Sequence, residues 1–287
     1  MLSLIAAITA STLTQSAVDV PIRRGLCHYR PNWLVLIEKG KEPSMTEHAK
    51  RLRELHRPGD PLLLPNVWDA ASATTVQEAG FPALATASAA IAAMLGYPDH
   101  EGAPAEEMLA AAGRVVRAAS VPVTVDAEAG YGLRPAELVE RLLAVGAAGC
   151  NLEDTYAGEL AEPEAQAEYL AAVRDAAGDA LVINARADTF VNQVSDPVDA
   201  AIARGRLYFE AGADCVYPIA APLEAVPALV EGLPGPVNAN NFPGTSLKDL
   251  AGMGVARVSY GPMPFLRGLE ALKTFAARVK DMEDPYA

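Results

Sequence analysis

What most constrains this chain is an alternation that begins near Pro61: short apolar or β-branched runs give way to longer amphipathic ones, again and again, to the end. LLLPN (62–66), ALATAS (83–88), VPVTVD (121–126), GCNLED (149–154), LVINAR (181–186), CVYPI (215–219), VNANN (237–241) and ARVSYG (256–261) read as eight strands. Between them, stretches such as PAEEMLAAAGRVVRAAS and EPEAQAEYLAAVRDAAG carry helical periodicity, and several end in glycine, as helix C-termini do. Eight β/α units in this length fit a closed (β/α)8 barrel, a TIM barrel in one domain, better than an open doubly wound sheet. No G-x-G-x-x-G opens a helix after the first strand, which removes the main support for a dinucleotide-binding fold.

A barrel of this kind places its chemistry at the C-terminal ends of its strands. The polar residues collect there: Asn66 and Asp69, Ser88, Asp126 and Glu128, Glu153 and Asp154, Arg186 and Asp188, and Asn238 to Asn241. In VTVDAEAGYG (123–132) the strand ends in Asp126 and Glu128, two residues apart and so on one side. Like charges held that close cost free energy unless a cation lies between them, which points to a divalent metal ion, with a solvated loop pair as the alternative.

Bulk properties exclude other classes. The net charge is -13 and no Lys/Arg-rich run appears, which argues against a nucleic-acid surface. Apolar stretches break well before the roughly 18 residues of a membrane span, so a soluble, cytoplasmic protein is expected. Cys27, Cys150 and Cys215 are few, scattered and odd in number, as in a reducing compartment, and suggest neither a disulfide framework nor a zinc site.

Residues 1–44 differ from the rest: five Lys/Arg against three Asp/Glu give +2, leaving -15 for the remainder. The opening MLSLIAAITASTLTQSA has the apolar centre of a signal peptide without its positive n-region. The expectation is an extension, disordered or loosely attached, over 1–44 and a catalytic barrel over 45–287.

NVWDAASA (66–73), LGYPD (95–99), VDAEAGYG (125–132), NLED (151–154) and NARADTF (184–190), in this order and spacing, resemble the isocitrate lyase and phosphoenolpyruvate mutase superfamily over most of residues 58–282. The resemblance implies a Mg2+-dependent barrel, Mn2+ being a possible substitute, that makes or breaks C–C or P–C bonds in small 2-oxo or 2-hydroxy acids. It also implies a homo-oligomer, dimer or tetramer, whose subunits exchange the last helix. Carried over residue by residue, Asp126 binds the metal directly and Glu128 stands where many members have aspartate. Asp99 and Glu153 match acids that hold the metal through water. Arg186 matches the arginine that clamps a substrate carboxylate and neutralises enolate charge, so Arg186 and Glu153 are the expected catalytic pair. Ser88 and Ala89, in the turn after the second strand, match the backbone amides that hold the other end of the substrate, and Asn238 is a further substrate-binding candidate.

Departures from the pattern narrow the chemistry. Cysteine-dependent lyases carry K-[KR]-C-G-H in the loop after the fourth strand, where this chain has TYAGELAEP (155–163), without Cys, Lys or His. The asparagine of the mutases' gating loop is missing too, and Ile219 replaces an acid or histidine at the end of the sixth strand. The reading that accommodates all this is a lyase for a small carboxylic acid, by oxaloacetate-type decarboxylation or retro-aldol cleavage through an enolate. Alternatives are a hydrolase or mutase of phosphonopyruvate-type compounds and a non-catalytic carboxylate-binding barrel. Asp154 and Asp188 read as supporting hydrogen-bond partners, His100 as an exposed loop residue, and Cys150 and Cys215 as small buried hydrophobes.

Overall fold

The computed structural model describes residues 44–286, and all eight expected strands are present and parallel. The first is interrupted by Pro65, which has no N–H to continue a ladder, into β1 (Leu62–Leu64) and β2 (Asn66–Val67). There follow β3 (Leu84–Thr86), β4 (Val123–Asp126), β5 (Gly149–Leu152), a small hairpin of β6 (Thr155–Tyr156) and β7 (Glu159–Leu160), then β8 (Val182–Arg186), β9 (Cys215–Tyr217), β10 (Asn238–Asn240) and β11 (Arg257–Ser259). The helices are α1 (Met45–Glu54), α2 (Ala70–Glu78), α3 (Ser88–Leu95), α4 (Ala105–Ala118), α5 (Pro135–Ala144), α6 (Pro163–Ala177), α7 (Pro197–Glu210), α8 (Val226–Gly232), α9 (Leu247–Gly252) and α10 (Met263–Lys280).

One ladder runs β2-β3-β4-β5-β8-β9 and a second runs β1-β11-β10. Continuity of the chain through Pro65 joins them on one side, and a parallel bridge between Val216 and Val237 joins them on the other, so the strands form a ring. Alternation sorts the side chains. Val125, Leu152, Ile183 and Val216 point outward and pack against Leu138, Leu142, Leu170, Val173 and Tyr208 of the helices. Arg257 on β11 donates to Asn151 on β5, and because these strands are not neighbours the bond crosses the barrel interior.

At the N-terminal end of the barrel, Leu52 of α1 enters a cluster with Leu62, Leu64, Ala83, Ala85, Ala148 and Val182. Gly149 is required here: a Cβ would stand 2.7 Å from the Val182 carbonyl oxygen and 3.0 Å from Leu52 Cδ2. Arg53 and Arg174 grip Asp214 from two sides, at 2.6 and 2.5 Å. Ser44 accepts from the Glu47 amide while the Glu47 side chain accepts from the Ser44 amide, a capping box that makes Ser44 part of α1 instead of the extension. The rest of that extension, Cys27 included, lies outside the described residues.

The helix α10 is different from the others. None of its residues is buried, and Leu266, Leu269, Leu272, Phe275 and Val279 form an exposed apolar row. Near its start, the Phe265 ring meets Trp68 edge-on at 5.2 Å. No helix among the described residues is long and apolar enough to cross a membrane.

Candidate active site

The site is assembled where the strands end. Arg186, the last residue of β8, is nearly enclosed: Nε and Nη2 donate to the two oxygens of Asp188 at 3.0 and 3.1 Å, and Nη1 donates to Glu153 Oε1. Of its five N–H groups three are thus committed, leaving one on Nη1 and one on Nη2 for a ligand. Asp188 is itself fixed, since its amide donates to Asp154 Oδ1 at 2.8 Å. Asp154, wholly buried, also accepts from Tyr208 and Arg204. The expected supporting role of Asp154 and Asp188 is what the geometry displays.

Asp126 closes β4. Its amide donates to Thr86 Oγ1 at 2.8 Å, and its Oδ2 accepts from the Ser88 amide at 3.0 Å. The turn after β3 is therefore tied to the metal candidate, and the Ser88 amide expected to meet substrate is engaged by Asp126. Ser88 opens α3 where strand was expected to continue, so the Ser88 and Ala89 amides lie in the first turn of a helix. Glu128 has φ of 48° and points an oxygen at the amide of Glu101, whose own side chain accepts from the Tyr131 amide. Asn238 is buried, with Nδ2 donating to Ser259 Oγ at 3.1 Å and Oδ1 unpartnered.

The electrostatics follow from crowding acids in a place with little water. Burial pushes Glu128 up to about 7, with Asp126, Asp99 and Glu101 adding repulsion against the pull of the Glu101 amide. Glu153 is raised by burial more than Arg186 lowers it, while Asp126, Asp188 and Glu128 raise it further. Burial opposes the charge on Arg186, but Asp188 and Glu153 hold it firmly protonated. Two carboxylate oxygens, Asp126 Oδ1 and Asp99 Oδ1, are buried without a partner. Among the described residues no three His, Cys, Asp or Glu side chains converge into a ready ligand set. Glu128 turns to Glu101 and Glu153 to Arg186. The hard oxygens, their mutual repulsion and the two orphans nonetheless suit a divalent cation.

The hairpin β6–β7 fills the position of the absent cysteine loop. Its two-residue turn, Ala157 and Gly158, has φ of 49° and 83°, and Tyr156 Oη donates to Gln166 Oε1 at 2.8 Å. A model of the family described as phosphoenolpyruvate phosphomutase matches residues 52–280. The chain belongs to the phosphoenolpyruvate phosphomutase family. Within it, the 2-methylisocitrate lyase of Bacillus subtilis is 32% identical over 221 residues, 73% of this chain and 71% of that one. A Burkholderia cenocepacia J2315 crystal structure, provisionally designated a phosphonomutase, superposes with a TM-score of 0.76 at 42% identity, covering 83% of this chain and 99% of that one. Oxaloacetate acetylhydrolase in complex with the product oxalate gives 0.74 at 25% identity, with 83% and 88% covered. This member of the phosphoenolpyruvate phosphomutase family is thus an enzyme of the isocitrate lyase and phosphoenolpyruvate mutase type, and the expected barrel is the fold of its superfamily.

Sequence reasoning collected Asn240 with its neighbours at the strand ends but missed Glu101, Tyr217 and Arg257. The signal for Glu101 was present, two residues after Asp99, but a short polar turn has no period to read. Arg257 sits among strand residues that look apolar in sequence, and only alternation turns it inward.

Proposed function

We propose that the protein is a Mg2+-dependent lyase that cleaves a C–C bond of a small 2-oxo or 2-hydroxy carboxylic acid through an enolate, by oxaloacetate-type decarboxylation or retro-aldol cleavage. The observation that carries this reading is the pairing of an acid-rich mouth with one guanidinium that keeps two N–H groups free. Those two groups suit a substrate carboxylate, gripped bidentately. Asp126 and Glu128, with Asp99 and Glu153 at longer reach, would hold the cation. When bound, a divalent ion supplies Lewis-acid polarisation of the substrate oxygens. The chain's own part is to orient the acid with Arg186 and the Ala89 amide in the first turn of α3, and to place positive charge beside the developing enolate. Decarboxylation needs no protein nucleophile, in keeping with a hairpin that contains no Cys, Lys or His.

The exposed apolar row on α10 supports a homo-oligomer in which this helix packs on a neighbouring subunit. We infer further that residues 1–43 are an extension outside the catalytic barrel. Incubating the protein with a panel of 2-oxo, 2-hydroxy and phosphono acids, with and without Mg2+, tests the activity. Metal-dependent release of pyruvate or CO2 is expected. Release of phosphate, or rearrangement of a phosphono acid, would transfer the assignment to P–C chemistry, and binding without turnover would leave only a carboxylate-binding barrel.

A further inference from the structure

Tyr217 ends β9 in register with Arg186 on β8. Because Val216 packs into the outer core, Tyr217 faces inward, and it is 3% exposed. Beside it stands Asn240 of β10. Asn240 Oδ1 accepts from the Ala220 amide at 2.9 Å, so its Nδ2 is the end left for the Tyr217 hydroxyl. A phenol oxygen that accepts from an amide keeps its own proton available for a ligand.

Arg257 also lies within electrostatic reach of Tyr217. Its side chain is wholly buried, Nη2 donates to Asn151 Oδ1 at 3.0 Å, and Nε and Nη1 have no partner. Leaving a guanidinium unpaired in a barrel core is expensive, and full desolvation duly weakens its hold on its proton. Tyr217 therefore has two cations in range, Arg186 in register beside it and Arg257. Burial resists ionisation of the phenol, yet both guanidiniums and the Asn240 amide favour the phenolate.

Other hydroxyls and imidazoles are differently placed. Tyr156 donates to Gln166 at 2.8 Å, the Tyr131 hydroxyl points to the main-chain oxygen of Asp126, and His100 is exposed on its turn. We propose that Tyr217 is the proton donor to the enolate carbon, in place of the loop cysteine, with Asn240 and Arg257 as its positioning residues. The inference rests on the lyase reading.

The step balances without any redox partner. In decarboxylation CO2 departs and the electron pair of the broken C–C bond stays in the enolate; in retro-aldol cleavage the substrate hydroxyl gives its proton to water as its carbon becomes a carbonyl. Collapse of the enolate forms a C–H bond to the product carbon as the Tyr217 O–H bond breaks. The phenolate so formed has Arg186, Arg257 and Asn240 Nδ2 around it, and it recovers a proton from water as product leaves.

The test compares the full-length wild type with Tyr217→Phe, which removes one oxygen and no bond that the phenol donates to protein. Two readouts are taken: steady-state kinetics on an acid that the wild type converts, and the near-ultraviolet tyrosine difference spectrum on titration with oxalate, a planar mimic of the enolate. The expected result is a fall in kcat of about a hundredfold or more with KM little changed, together with an oxalate-induced tyrosine band that vanishes in the variant. Wild-type kcat in Tyr217→Phe, or a band that persists in it, overturns the assignment. A wild-type protein inert toward every acid sinks the lyase reading instead, while the band alone still decides whether Tyr217 meets a ligand.

Discussion

Replacing Arg186 with lysine keeps the charge and removes the fork, so it separates the two contributions. The guanidinium makes three charge-assisted bonds, two to Asp188 and one to Glu153. An ammonium on a shorter, unforked stem retains one of them at best. Each hydrogen bond to a charged group is worth about 1.5–3 kcal/mol, so two lost bonds remove roughly 3 kcal/mol even at the low end. Asp188, 1% exposed, is then left short of a partner in a place with no water to compensate. If that loss is felt mainly when negative charge develops on the substrate, kcat/KM falls by about a hundredfold, since 1.4 kcal/mol is about tenfold. Part of it also appears as a melting temperature several degrees lower. Steady-state kinetics with saturating Mg2+, alongside thermal melting, measure both. Near-normal kinetics in Arg186→Lys would show that a point charge suffices and that bidentate recognition is not what Arg186 supplies.

Asp126→Ala should abolish Mg2+ binding and turnover while leaving the barrel folded, because the residue closes a strand; calorimetric titration giving unchanged affinity would end its assignment as a ligand. His56 is buried, its Nδ1 bonded to the Leu52 carbonyl at 2.8 Å. Burial, with help from Arg257, lowers it from 6.5 to about 4. The unfolded chain therefore binds this proton at higher pH than the folded one, so stability is complete above about pH 6.5 and declines toward pH 4, by up to about 3 kcal/mol. Denaturant unfolding at pH 7 and pH 5 should show a smaller decline in His56→Gln than in wild type, and equal declines would contradict the argument. Introducing Leu269→Glu with Leu272→Glu on α10 should reduce the mass measured by light scattering after gel filtration, and an unaltered mass would argue against helix exchange.

The barrel was legible in the sequence because strand and helix periods are local. Each of the eight runs advertises its own element, and in eight successive units the ends of the strands must meet at one mouth. Asp126, Glu128, Glu153 and Arg186 were legible for the same reason: all stand at or just beyond the ends of recognisable strands. Where a local signal was missing, so was the expectation. The helix α3 begins without a side-chain cap, Ala87 occupying the position where Ser, Thr, Asp or Asn would announce it. The β6–β7 turn places Ala157 at a positive φ where Asn or Gly would mark a hairpin. Other features depend on closure alone. Arg257 reaches Asn151, 106 residues away, across the interior; the Ser88 amide meets Asp126, 38 residues on; and Tyr217 comes to stand beside Arg186 only when β8 and β9 pair. Composition and period determine which residues face inward, but the charge and hydrogen-bond partner each inward group receives is chosen by strands far away in the chain, and burial then magnifies the consequence because water is no longer there to screen it.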